Sequence, residues 1–244
     1  MPNFLTAQGV EYAWRTDIGR VRSRNEDSVA VDAGVGLLVV ADGMGGHNAG
    51  DVASRMAIEG VIGAMQGSTG EDDDRLVAAV RQTNAAIYAA AGDDYERSGM
   101  GTTVVAVWLR PTRLVVAHVG DSRLYRLRDG AIEALTRDHS QVQDLVDRGI
   151  LTPAQARAST RKNFLSRALG TDPRVEIDSA AHTAAAGDVY LLCSDGLTNM
   201  VEDGEIVSLI RDAASLGAAA ESLVAQANER GGRDNISVAL ARLG

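Results

Sequence analysis

Every long apolar run in this chain is strand-sized, and that limits its folds more than any other feature. Val104 to Leu109 and Leu37 to Ala41 are examples, far short of the roughly 20 residues a membrane-spanning helix needs. Several shorter runs repeat the pattern. Val10 to Arg15 reads as a first strand. Ser28 to Asp32 and Gly36 to Ala41 flank Ala33-Gly34-Val35 as a hairpin, and Gly101 to Leu109 and Arg113 to Val119 flank Pro111-Thr112. Leu124 to Leu127 and Ala131 to Leu135 enclose Asp129-Gly130, a strong hairpin turn. Val189 to Cys193 and the alternation of Ile236, Val238 and Leu240 supply two more strands. Helical spacing occurs in three places. These are Ile58, Val61, Ile62 and Met65; about Asp74 to Ala91; and Leu216, Ala220, Leu223, Val224 and Ala227. Strand runs with hairpin turns, separated by helices, predict an α+β fold of antiparallel sheets covered by helices.

No repeat, low-complexity tract or Pro/Gly/Ser linker divides the 244 residues, so residues 1–244 are expected to form a single domain. Glu71 to Asp74 reads as a solvated acidic loop before the second helix. The formal charge of −9 argues against a nucleic-acid partner and against a basic membrane patch. One cysteine, Cys193, permits no internal disulfide and is expected to be a small buried core residue. No signal peptide or transmembrane tail is evident, which predicts a cytoplasmic protein. Monomer is the default state.

The aspartates fall at strand ends. Asp27 precedes one strand and Asp42 follows the next, so the two bracket one hairpin and are expected to lie close together. Asp121 and Asp195 follow strands, and Asp234 precedes the last one. Asp42-Gly43, Gly120-Asp121 and Asp195-Gly196 put a small residue beside the acid. Any one of these pairs alone reads as a turn. Carboxylates gathered without cysteine or paired histidine suit hard cations such as magnesium or manganese, and a cation would relieve their mutual repulsion.

Arg22-Ser23-Arg24-Asn25-Glu26-Asp27 followed by Asp42-Gly43-Met44-Gly45-Gly46-His47 resembles the bacterial branch of the metal-dependent serine/threonine protein phosphatases, type 2C. Gly101-Thr102-Thr103, Val119-Gly120-Asp121-Ser122-Arg123 and Leu135-Thr136-Arg137-Asp138-His139-Ser140 match in family order. So do Arg167-Ala168-Leu169-Gly170, Cys193-Ser194-Asp195-Gly196-Leu197 and Arg233-Asp234-Asn235. The resemblance spans about Val10 to Leu240. It implies an α-β-β-α sandwich of two antiparallel sheets flanked by helices, with two to three Mn2+ or Mg2+ ions at one edge. It further implies that Asp42 bridges two ions, that Asp27, the Gly43 carbonyl, Asp195 and Asp234 are ligands, that Glu26 acts through water, and that Asp121 helps hold a third ion.

The implied reaction is hydrolysis of phosphoserine and phosphothreonine in proteins by a water activated between two divalent ions. Arg22 matches the phosphate clamp, because a planar guanidinium can grip two phosphate oxygens. Met44 stands where eukaryotic relatives carry a histidine proposed as general acid, so that role has no obvious holder. His47 and His139 are weighed as donors, although His47 fits the glycine-rich turn better and His139 fits a loop-holding role better. His118 reads as a satisfied core residue, and His182 has no assigned role. Residues 140–169 resemble a flap that shapes substrate access, with a helix end and a new cap at Gly149 to Pro153. The implied partners are phosphorylated proteins, a serine/threonine kinase and its targets. The alternative reading is a catalytically dead phosphoprotein-binding regulator, which should have lost one or more ligands. A nuclease is disfavoured by the acidic surface.

Overall fold

In the computed structural model the described residues are all except 1–2, 8, 46–48, 68–71, 94–96, 98, 160 and 162–163. His47 and Glu71 therefore lie outside them, as do three positions of the 140–169 segment.

Among the described residues twelve strands form two antiparallel sheets. The first holds β1 (Asn3–Ala7), β2 (Val10–Asp17), β8 (Arg123–Arg128), β9 (Ala131–Ala134), β11 (Val189–Cys193) and β12 (Ile236–Leu243), in the order β1-β2-β12-β11-β8-β9. The second holds β3 (Asp27–Asp32), β4 (Leu37–Met44), β6 (Val104–Arg110), β7 (Arg113–Val119) and β10 (Asp178–Thr183), in the order β10-β7-β6-β4-β3, with the two-residue β5 (Gly101–Thr102) paired to β4. Helices α1 (Ala49–Gln66) and α2 (Asp74–Asp93) cover the second sheet. Helices α6 (Asp203–Arg211) and α7 (Leu216–Glu229) cover the first. The result is the expected α-β-β-α sandwich.

Period-two alternation builds its three apolar layers. In β4, Leu38 and Val40 face the other sheet with Tyr12, Val105, Val116, Tyr190 and Leu192. Leu37, Val39 and Ala41 of the same strand face α1 and α2, against Val61, Met65 and Ile87. Strands buried on both faces read as continuous apolar runs, which explains the character of Val104 to Leu109. Cys193 lies in the layer under α7, and its burial pushes the thiol up to about 12.

Two of the four edge strands, β1 and β10, and the short helices escaped the sequence reading. β1 and β10 carry little apolar signal, because β10 is half-exposed Asp-Ser-Ala-Ala-His-Thr on a sheet edge. The expected single strand from Gly101 to Leu109 is split into β5 and β6. The acidic loop expected at Glu71 to Asp74 is not simply solvated. Asp73 is gripped by Arg110 and Arg113, and Asp74 is the first residue of α2. In the 140–169 segment, α3 (Gln141–Asp147) and α4 (Pro153–Ala158) flank the expected cap. Thr152 and Gln155 form a capping box, with Pro153 in the first turn.

Candidate metal centre

The sandwich brings the scattered acids together at one end. Asp27 opens β3 and Asp42 lies near the end of β4, directly opposite it in the antiparallel register. Asp121 follows β7, Asp195 opens α5 (Asp195–Thr198) after β11, and Asp234 precedes β12. A cavity of about 230 Å³ opens there. Its lining includes Arg22, Glu26, Asp42, Gly43, Asp121, Asp195 and Asp234. Asp27 is not among the lining residues: it is buried behind them and accepts a hydrogen bond from Ser194 Oγ at 2.8 Å.

The Asp-Gly pairs at this rim are not left-handed turns. A Cβ on Gly43 would stand 2.1 Å from the Gly50 carbonyl oxygen and 2.6 Å from that of Glu26. On Gly196 it would stand 1.9 Å from the Asn235 carbonyl oxygen. Both glycines let backbones meet, and so draw the acids of separate elements together. Asp129-Gly130 is the true turn, with positive φ at both residues.

Buried polar side chains hold the rim in place. The Asp42 N–H donates to Thr103 Oγ1 at 2.9 Å, while its carbonyl accepts from Thr102 Oγ1 and the Thr103 N–H, both at 2.9 Å. Asn235 Oδ1 accepts from the Glu26 N–H at 2.8 Å, and its Nδ2 donates to the carbonyls of Ile18 and Arg24. Asn235 thereby pins the loop carrying Arg22 and Glu26 to the start of β12. Asp51, in the first turn of α1, adds a further acid close to Glu26. None of these supporting roles was read from the sequence. The available signal was a hydroxyl or amide beside glycine or aspartate in a motif.

The electrostatics of the rim are those of like charges confined together. Burial raises Asp27, and Asp195 and Asp234 raise it further against hydrogen bonds from serine, up to about 7. Asp42 is pushed well above its ordinary value by burial and then by Asp27, Asp195, Asp121 and Asp234. Asp121 is raised by burial and by Asp195 and Asp138. Among the described lining residues Arg22 is the one base. Asp27 Oδ1 is buried with no hydrogen-bond partner. An oxygen-only set with excess negative charge and a spare buried carboxylate oxygen fits hard divalent cations.

The "Protein phosphatase 2C" family model matches residues 19–236, a span that contains every one of these acids. The chain belongs to the protein phosphatase 2C family. It is 40% identical over 235 residues to the serine/threonine phosphatase stp of Listeria innocua, covering 93% of each chain. It is 42% identical over 233 residues to the serine/threonine protein phosphatase PstP of Mycobacterium tuberculosis, covering 95% of this chain and 45% of that one. A crystal structure of the latter superposes with a TM-score of 0.90 over 96% of this chain and 98% of that one, at 42% identity. The PstP catalytic domain in complex with two manganese ions gives a TM-score of 0.88 at 41% identity, over 96% and 97% of the two chains.

In this phosphatase 2C chain Arg22 Nη2 donates to Asp234 Oδ2 at 2.8 Å. Partial burial opposes its charge, but Asp234, Asp42 and Glu26 outweigh that and raise its pKa. Met44 lines the cavity and offers no proton. His139 does not face the cavity as a proton donor would. Both its ring nitrogens are engaged elsewhere, on Gly120 and Asp178. His118 donates from Nε2 to the Arg137 carbonyl at 2.9 Å, the satisfied core residue expected. Among the described residues no helix is long and apolar enough to cross a membrane.

Proposed function

We propose that residues 1–244 act as one phosphatase domain that hydrolyses phosphoserine and phosphothreonine esters in proteins, with two to three Mn2+ or Mg2+ ions as cofactors. The observation that carries this reading is the clustering of Asp42, Asp121, Asp195 and Asp234 around one cavity in which Arg22 is the one base among the described lining residues. The names of the relatives support it.

Asp42, with the adjoining Gly43 carbonyl, Asp195 and Asp234 are the proposed direct ligands. Asp27 offers its unpartnered Oδ1, Glu26 acts through water, and Asp121 serves a third ion. When bound, such ions lower the pKa of water and offset charge on a phosphoryl group. The remaining work falls to the chain. Arg22 stands half-exposed at the cavity mouth. Among the described residues its Nε and Nη1 make no hydrogen bond, so it can grip two phosphate oxygens while Nη2 stays on Asp234. Thr102 and Thr103 lock the Asp42 backbone, so the bridging carboxylate needs little reorganisation during the reaction. Hydrolysis forms a bond from water oxygen to phosphorus and breaks the ester P–O bond in line. Met44 cannot protonate the leaving alkoxide, so solvent supplies that proton. The 140–169 segment is the proposed flap over the approach. A serine/threonine kinase and its targets, in the cytoplasm, are the proposed partners of a monomeric enzyme.

The test is phosphate release from a phosphothreonine peptide by chelated protein with Mn2+ or Mg2+ restored. Release that requires the metal and is lost in Asp234→Asn is expected. Turnover unchanged in that variant refutes the assignment. Cleavage of nucleic acid under the same conditions would point to a different hydrolase.

A further inference from the structure

The motif Leu135 to Ser140 contributes a buried histidine that the reaction does not use. His118 and His139 stack with ring centroids 4.6 Å apart, and Asp178 completes a cluster whose nitrogen and oxygen atoms lie within 4.8 Å of one another. Such a cluster could hold a metal ion, but its protons argue otherwise. The Gly120 N–H donates to His139 Nδ1 at 3.1 Å. A backbone N–H can only donate, so Nδ1 is unprotonated and the ring proton is on Nε2. Nε2 stands 3.2 Å from Asp178 Oδ2, and Asp178 is itself held by Arg167 at 2.7 Å. His118 Nε2 is spent on the Arg137 carbonyl. The cluster is therefore a hydrogen-bond relay with its nitrogens largely committed.

The relay ends on one residue, Gly120. His139 also donates its backbone N–H to the Gly120 carbonyl at 2.9 Å, so Gly120 is gripped on both sides. Gly120 has a positive φ and packs against Thr103, which itself holds Asp42. The next residue is Asp121, in the cavity wall. The His139 carbonyl accepts from the Ser166 N–H at 2.9 Å, and the residue before Ser166, Leu165, lines the same cavity.

We propose that His139, oriented by Asp178, is a positioning residue that fixes Gly120 and thereby the direction of the Asp121 carboxylate, setting the affinity of the weakest divalent-cation site. This rests on the assignment of Asp121 to a third ion, and the test separates the two claims. Asparagine places its side-chain oxygen near the position of Nδ1, while glutamine reaches toward Nε2. Full-length protein, stripped of metal, is titrated with Mn2+ by calorimetry. His139→Asn should bind every class of ion as the parent does. His139→Gln should weaken the weakest class about tenfold, the worth of one hydrogen bond, and leave the tighter pair unchanged. Asp121→Ala should remove the weak class outright. If Asp121→Ala leaves the isotherm untouched, the third-ion assignment fails. Exchange of the Gly120 amide in metal-free protein then decides the positioning claim, with about tenfold faster exchange expected in His139→Gln than in His139→Asn. Equal behaviour of the two variants in the informative assay overturns the proposal. So does loss of one bound Mn2+ in His118→Gln, which would mark the imidazole pair as an ion site. If a His139 variant fails to fold, Asp178→Ala carries the comparison. It keeps the ring but releases the tautomer, and parent-like values there overturn the relay.

Discussion

Asp27 and Asp188 are both almost wholly buried, at 7% and 1% exposure, yet burial has opposite outcomes for them. Asp188 accepts two hydrogen bonds from Arg128 at 2.6 Å, one from the Tyr190 hydroxyl and one from the Ala185 N–H. These overcome the desolvation that burial imposes and hold its pKa below the ordinary carboxylate value. Asp27 has Ser194 on one oxygen, nothing on the other, and carboxylates around it; its pKa rises to about 7. Asp138 is likewise paired with Arg123, and Asp73 with Arg110 and Arg113. Asp42 and Asp121 follow the pattern of Asp27. Burial alone therefore does not mark a site here. The sign of the neighbours does.

The sharpest break between the two regions is a pair of substitutions. Asp42→Asn should lower peptide dephosphorylation roughly 100- to 1000-fold, the scale of losing a preorganised electrostatic contact. The same change should raise the melting temperature of the metal-free protein, because it removes one of several repelling charges. Asp188→Asn should do the reverse. It leaves Arg128 and two buried donors poorly matched, at about 2–4 kcal/mol, reduced somewhat because Arg128 is about a third exposed. Activity per folded molecule should survive. Melting shifts of the same sign in both variants would erase the distinction.

Changing pH should move the two regions in opposite directions. A carboxylate with a raised folded-state pKa costs stability once it ionises. The metal-free protein should therefore lose stability as pH climbs from about 4 through 7, the interval between the ordinary value and that of Asp27. Asp188, with a lowered pKa, contributes stability above the ordinary carboxylate range and loses it only on acidification below that. Thermal melts of chelated protein between pH 5 and 8 should decline with pH, and saturating Mn2+ should flatten or reverse the slope. A chelated melting temperature that is level or rising over that range would contradict the rim electrostatics.

How much of this was legible in the sequence follows from periodicity and motif length. β7 and β11 were read to the residue because they are apolar runs closed at both ends. β1, β10, α5 and α6 were missed because strands with little apolar signal and short helices leave no strong period. Asp42, Asp121, Asp195 and Asp234 were legible as acids at strand ends, but that they share one cavity depends on two sheets stacking. The supports were illegible for a related reason. Asn235 binds Ile18 and Arg24 from more than 200 positions away, and Thr103 reaches Asp42 across 61. His139 is read from the sequence as a loop holder and weighed as a proton donor. Its grip on both sides of Gly120 needed coordinates.

A smaller effect tests the proposed clamp. Arg22→Ala should lower kcat/KM for a phosphothreonine peptide about 10- to 100-fold, the range for hydrogen bonds to a charged group. Arg22→Lys should recover part of that, since a single ammonium cannot grip two oxygens at once. Because Arg22 also touches Asp234, Mn2+ affinity must be measured alongside. A loss confined to metal binding, with parent-like kinetics at saturating Mn2+, would move Arg22 from the clamp to the rim.

The smallest expected effect concerns the residue that carries neither charge nor ligand. Thr103 accepts from the Asp42 N–H, shares a hydrogen bond of 2.7 Å with Ser122 and is buried. Thr103→Val keeps the shape and removes the hydroxyl. The Asp42 N–H would then be buried without an acceptor, at a cost of about 1–3 kcal/mol. If that cost falls on the fold alone, the melting temperature should drop by a few degrees while kcat is unchanged. If Thr103 holds the Asp42 carboxylate in the direction its proposed role requires, kcat should fall several-fold even at saturating Mn2+ and substrate. The second outcome is expected, because the hydroxyl acts directly on the Asp42 backbone N–H. A purely thermal effect would reduce Thr103 to a packing residue and leave Thr102 and the Thr103 backbone as the whole of the Asp42 support.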